Sequence, residues 1–210
     1  MPSIKQKYKA CFVDKSFLRS STMAIILFVV CLAVNFYAGT YATEKASNPV
    51  TDIILSNIRV YNVDEIFIYG SFVLVILIIY LCLTKPQRLP FVLKSIALFV
   101  LVRSAFITLT HIGPFPTRVL INPRNIINDF TFGGDLFFSG HTGLPFLLAL
   151  IFWNNWKLRT AFIATSIIFG AVTLMGHLHY SIDVMAAFFI TYTIYHIAST
   201  IFKKDKARLH

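Results

Sequence analysis

Long unbroken apolar runs, separated by short polar stretches, dominate the chain. Their polar flanks bound six of them, at 22–43, 66–84, 91–111, 140–156, 160–178 and 182–202. Strands of a membrane barrel alternate apolar and polar positions over about ten residues; these runs are continuous and much longer. Five approach the roughly 20 residues that a helix needs to cross the hydrocarbon layer, and the fourth spans only if its N-terminus lies at the interface. The pattern predicts an all-α membrane protein, a bundle of six transmembrane helices forming one integral-membrane domain over residues 1–210.

Composition agrees. Of the 210 residues 57% are hydrophobic, 13% are charged and 21 are phenylalanine. A water-soluble chain of this length leaves too much of its area exposed to hide that apolar content. KQKYK ahead of the first run resembles the start of a secretory signal, but the run is too long and the stretch from Tyr37 to Ala42 offers no clean cleavage pattern. It is read as a retained span.

The net charge of +10 in a soluble protein would point to nucleic acid, yet its distribution gives a topology instead. Fourteen Lys and Arg lie in the N-terminal tail, the 85–90 loop with adjoining Lys94, the 157–159 turn and the C-terminal tail; four lie in the 44–65 and 112–139 loops. Basic loops stay inside, so both termini are predicted to be cytoplasmic. The tails lack the aromatic interleaving of a nucleic-acid binder, and no nucleic-acid partner is expected. Trp153 and Trp156 fit interfacial anchors at the cytoplasmic end. Glu44, Asp52, Asp64, Glu65, Asp129 and Asp135 gather on the other side, whereas Cys11, Cys31 and Cys82 lie in the tail or in spans and imply no disulfide framework.

This alternation brings two distant stretches to one face. The fourth run begins, and the fifth ends, on the non-cytoplasmic side, so His141 and GHLHYSID (176–183) share a depth. His179 and Asp183 are four apart; on one helical turn a carboxylate can accept a hydrogen bond from one imidazole nitrogen and leave the other free to attack. A second imidazole, His141, could then donate a proton to the leaving group. His177 would reach the site from a turn, in a supporting role or directly. Ser139 is a candidate helix cap, and the N–H groups from Gly140 to Gly143, with the Thr142 hydroxyl, favour an anion. Arg103 lies within its run, where a charge must be engaged, by a phosphoryl oxygen or by Asp183. Asp135 would bond its own loop or a headgroup amine, and Tyr180 joins the substrate-binding candidates. Together these groups fit a phosphate ester best.

GGDLFFSGHT (133–142) and HLHYSIDVMAAFFITY (177–192) resemble the paired motifs of the sphingomyelin synthases, a branch of the type 2 phosphatidic acid phosphatase superfamily, with RSAFITLTHIGPFP (103–116) a looser match. The resemblance implies a six-helix fold with an outward-facing site, periplasmic, lumenal or extracellular. It makes His179 the nucleophile, Asp183 its support and His141 the histidine that assists the alcohol oxygen. The reaction it implies moves a headgroup phosphate from a membrane phospholipid onto His179, releases diacylglycerol, and passes the phosphate to a lipid alcohol such as ceramide or to water. His177, His179 and Asp183 have the chemistry to hold zinc, but the anion-favouring helix start and the resemblance argue for a route with no metal and no cofactor.

Two departures bear on substrate. The superfamily's phosphatases carry a lysine-to-Arg-Pro motif and a Ser-Arg pair before the second histidine; here nothing around Arg103 supplies the first, and Leu174-Met175-Gly176 stands where the pair would be. Fewer cationic clamps suit a singly charged phosphodiester. A lipid phosphate phosphatase releasing inorganic phosphate is the alternative enzyme, and a lipid transporter or scaffold the alternative of another class. Against the latter, the ionisable groups gather at one side of the bilayer, Arg103 excepted, rather than along a path through it.

Overall fold

The computed structural model describes residues 4–119 and 134–209. Asp129, Gly133 and the middle of the 112–139 loop lie outside the described residues. The helices are α1 (Ile4–Val13), α2 (Lys15–Glu44), α3 (Asp64–Thr84), α4 (Leu89–Leu109), α5 (Gly140–Ile151), α6 (Trp156–Met175), α7 (Ser181–Ile201) and α8 (Lys203–Lys206), with a 3-10 turn, Pro86–Arg88, leading into α4.

Five helices are long and apolar enough to cross a membrane: α2, α3, α4 with its leading turn, α6 and α7. Their outward side chains, among them Ile25, Val29, Ile76, Ile168 and Phe189, are exposed. Water would penalise such a belt and lipid does not. The protein is an integral, multi-pass membrane protein.

The fourth expected span departs from its prediction. α5 has only 12 residues, about 18 Å of helix, and its apolar side chains face protein: Leu147, Leu148 and Ala149 are fully buried against α6 and α7. Its C-terminus is set by the turn at Phe152 to Asn155, where Asn155 accepts a hydrogen bond from the Leu158 N–H and starts α6. Its N-terminus is recessed. Phe138 and Gly140 meet α4 at Arg103, six residues short of Leu109 and so about 9 Å below the end of that helix. Gly143 allows the wedge, since a Cβ there would lie 2.8 Å from both the Phe99 ring and the Thr191 hydroxyl. A short central helix therefore leaves a polar recess inside an apolar ring of longer ones.

Loops roof this recess. Ser47 N–H donates to the His111 carbonyl at 2.8 Å, Tyr61 N–H to Met175 at 2.9 Å, and Val119 N–H to Gly176 at 3.0 Å. Leu55, Leu136 and Tyr180 form a small apolar cluster of their own, with Ile112, Phe115 and Leu174 against it. At the opposite end, Arg208 meets Asp14 at 3.2 Å and Lys94 meets Asp205 at 2.7 Å, which places the N-terminal helix pair and the C-terminal tail together.

Candidate active site

α6 ends in a Schellman turn: Leu178 N–H bonds the Thr173 carbonyl at 2.8 Å and His177 N–H that of Leu174 at 3.0 Å. The residue that must take the left-handed conformation there is His177, with φ 53°, where glycine is usual. For a side chain with a Cβ this costs about 1–2 kcal/mol. The imidazole is buried against Phe115, its Nδ1 sharing a 2.6 Å hydrogen bond with the Thr117 hydroxyl, while Nε2 has no partner among the described residues.

This reversal delivers His179 two residues ahead of α7. Its Nδ1 is 2.8 Å from the Leu136 carbonyl and 3.5 Å from Asp183 Oδ2. A carbonyl can only accept, so Nδ1 carries the proton and Nε2 keeps its lone pair. The nearest acceptor is thus a backbone oxygen, with the expected carboxylate slightly farther off. Asp183 is fully buried; its Oδ2 also accepts the Tyr180 N–H at 3.0 Å, which fixes the turn between nucleophile candidate and helix.

His141 occupies the first turn of α5. What holds its half-buried ring is aromatic: Phe67 lies against it, tilted by 33°, at 3.9 Å between centroids and Phe169 meets it edge-on at 5.9 Å. It lies close enough to His179 and Arg103 for their charges to interact. The expected cap is present, Ser139 Oγ accepting from the Thr142 N–H at 3.4 Å. The Thr142 hydroxyl donates to the same oxygen at 3.2 Å and is fully buried, so it is spent on the cap.

Arg103 pairs with Asp135 rather than with Asp183. Its Nε donates to the Phe138 carbonyl at 2.9 Å, and its Nη2 to the Asp135 carbonyl at 2.6 Å and to Asp135 Oδ2 at 2.9 Å. One guanidinium therefore pins both ends of the strap 135–138, whose middle residue Leu136 presents its carbonyl to His179. Gly140 opens its bare face to this arginine, a Cβ there falling 3.2 Å from Nε.

Two roles were not legible beforehand. Asp52, buried in the loop between α2 and α3, accepts at Oδ1 from the N–H groups of Ile54 (2.8 Å) and Leu55 (3.0 Å), and at Oδ2 from Ser181 N–H (2.7 Å) and hydroxyl (2.8 Å). An Asp two and three residues ahead of the N–H groups it binds is a local turn signal; its grip on α7, 129 residues away, has none. Tyr180 is the second: its hydroxyl donates to the Gly113 carbonyl at 2.7 Å and accepts from Val50 N–H at 3.2 Å, making it a buried strut between loops. Burial raises the Tyr180 hydroxyl above its ordinary value.

For Asp52, burial pushes the carboxyl up, but the hydrogen bonds from Leu55, Ser181 and Ile54 outweigh it and the net direction is down. Asp52→Asn must turn an amide donor toward N–H groups whichever way it sits, and is expected to cost about 1–3 kcal/mol. Thermal unfolding in detergent reads this as a lower midpoint. Because the folded carboxyl titrates below its unfolded value, the increment is complete above about pH 4. It is lost as pH falls through the folded value, where wild type and variant converge.

No curated protein and no solved structure matches the chain significantly. Residues 133–200 match the family model described as PAP2 superfamily C-terminal, a stretch that contains Asp135, the Ser139 to Thr142 cap, both site histidines and Asp183 but not Arg103. A type 2 phosphatidic acid phosphatase (PAP2) superfamily domain is therefore present in this chain, and that homology supports an enzyme of general lipid-phosphate-processing type, phosphatase or phosphodiesterase.

Proposed function

We propose that the protein cleaves or transfers the phospho-headgroup of a glycerophospholipid through a phosphohistidine on His179, releasing diacylglycerol. The observation that carries this reading is the fixed tautomer of His179: with Nδ1–H on the Leu136 carbonyl at 2.8 Å, Nε2 is the attacking nitrogen. Its lone pair forms the P–N bond as the P–O bond to glycerol breaks. Protonated His141 gives its proton to the departing diacylglycerol oxygen. In the second half, neutral His141 takes the proton of the acceptor hydroxyl, from a lipid alcohol or water, whose oxygen attacks phosphorus and frees His179. Asp183, buried beside Nδ1, stabilises the positive charge that His179 develops. The N-terminus of α5 contributes its dipole to the phosphoryl oxygens.

Charge favours a diester. Arg103, the cation beside Gly140, is already matched by Asp135 at 2.9 Å, which leaves less positive charge for a doubly ionised monoester. Asp135, Ser139, Gly140 and Thr142 shape the recess, and Tyr180 and His177 hold its roof. The site faces the non-cytoplasmic side, with both termini in the cytoplasm, as the distribution of basic residues supports.

Purified protein offered phosphatidylcholine, phosphatidylethanolamine and phosphatidic acid, each with and without ceramide, is expected to release diacylglycerol from a diester donor. Chromatographic and mass-spectrometric product analysis checks this. A phosphorylated lipid product with ceramide identifies transfer, and a free phospho-headgroup identifies hydrolysis. Inorganic phosphate from phosphatidic acid, with both diesters untouched, would sink the diester reading in favour of the phosphatase.

A further inference from the structure

Among the described residues three Lys or Arg side chains are buried in the bundle: Arg88, Lys94 and Arg103. Two have a carboxylate. Lys94 meets Asp205 at 2.7 Å and Arg103 meets Asp135 at 2.9 Å. Arg88, exposed by only 8%, has no ion-pair partner among the described residues. Its Nη1 reaches the Leu81 carbonyl at 3.5 Å, its guanidinium lies over the Phe152 ring at 5.1 Å, and its Nε has no hydrogen-bond partner among them. An arginine cannot shed its proton in a protein, and a buried charge left uncompensated is expensive. A fold that supplies a counter-charge to two of its three buried cations marks the third as one whose counter-charge comes from elsewhere.

The surroundings say what kind. Arg88 lines a cavity of about 440 Å³ together with Lys85, Phe152, Asn155, Trp156 and Lys157, and among the described residues no carboxylate lines it. Three cations thus converge on one space. α6 begins there, its N-terminus capped by Asn155, so the positive end of a 20-residue helix opens on the same cavity. Arg88 precedes Arg103 by 15 positions, about 22 Å along the helix axis. The cavity is therefore at the opposite end of the bundle from the histidines and shares no residue with them. Trp156, exposed at its edge, suits the boundary between headgroups and acyl chains.

We propose that this cavity is a second anion site, binding a phosphate group with Arg88 at its centre and Lys85 and Lys157 at its sides. The phosphate is carried either by an anionic phospholipid of the adjoining leaflet or by a small soluble ion. The assignment is independent of the chemistry proposed for His179.

Thermal unfolding of the full chain in neutral detergent tests it with two probes. One is phosphatidylglycerol in mixed micelles, read against the same mole fraction of phosphatidylcholine; the other is inorganic phosphate, read against chloride at equal ionic strength. Saturating probe is expected to raise the wild-type midpoint by about 5 °C. The double variant Lys85→Gln/Lys157→Gln, altered at the rim of the cavity, is expected to lose most of that shift, and Arg88→Met all of it. Phosphatidylglycerol acting alone identifies the lipid as the source, inorganic phosphate acting alone the soluble ion, and both acting identify the phosphate group itself. Absence of any shift from either probe, or a shift of equal size in wild type and the double variant, overturns the proposal.

Discussion

Replacing His179 by alanine is expected to lower phospholipid turnover by at least about three orders of magnitude, because the proposed P–N bond forms on its Nε2. The fold should survive. Among the described residues the side chain makes one hydrogen bond, to the Leu136 carbonyl, and loss of that bond beside a small cavity costs about 1–3 kcal/mol, tolerable for a domain with a large apolar core. Size-exclusion behaviour and the unfolding midpoint establish the folded state, and diacylglycerol release measures turnover. A donor labelled in its phosphate should leave acid-labile label on wild-type protein and none on His179→Ala. Turnover retained in a folded variant would show that the pair with Asp183 only closes the bundle.

Much of this arrangement was legible from the chain because it follows from rules that act on neighbours or on whole segments. Length and continuity of the apolar runs predicted the five long apolar helices. Alternation of direction brought His141 and HYSID to one depth, and Ser139 announced its cap. What escaped depends on atoms that sequence patterns do not describe. The group that sets the tautomer of His179 is a backbone carbonyl, which any residue at position 136 would carry. Arg103 finds Asp135 across 32 positions with no periodicity to link them. α5 was read as a marginal span over 140–156, whereas its helix stops at Ile151 and starts recessed below the end of α4. Hydropathy reports that a segment is apolar, not whether lipid or protein surrounds it. His177 in the left-handed turn was invisible for a related reason: sequence pattern places glycine there, and the hydrogen bond to Thr117 and the packing of Phe115 hold the exception.

Arg103→Lys separates a strap-holding arginine from a phosphate clamp. Lysine keeps the charge opposite Asp135 but cannot bond the Phe138 carbonyl and both oxygens of Asp135 from one planar fork, as Arg103 does. The strap 135–138 then loosens, the Leu136 carbonyl drifts from Nδ1, and His179 spends less time in the attacking tautomer. A kcat reduced about 10–100-fold, with KM little changed, is the expected signature of such outer support. Arg103→Ala goes further: it leaves the Asp135 carboxylate without its partner and is expected to cost about 3–5 kcal/mol, a large fraction of the roughly 5–15 kcal/mol typical of a domain. If instead Arg103→Lys raises KM several-fold at constant kcat, Arg103 binds phosphate in the ground state, and the strap is held without it. The two outcomes differ because a clamp touches substrate, whereas the geometry here has Arg103 touching the strap that holds the proposed nucleophile, His179.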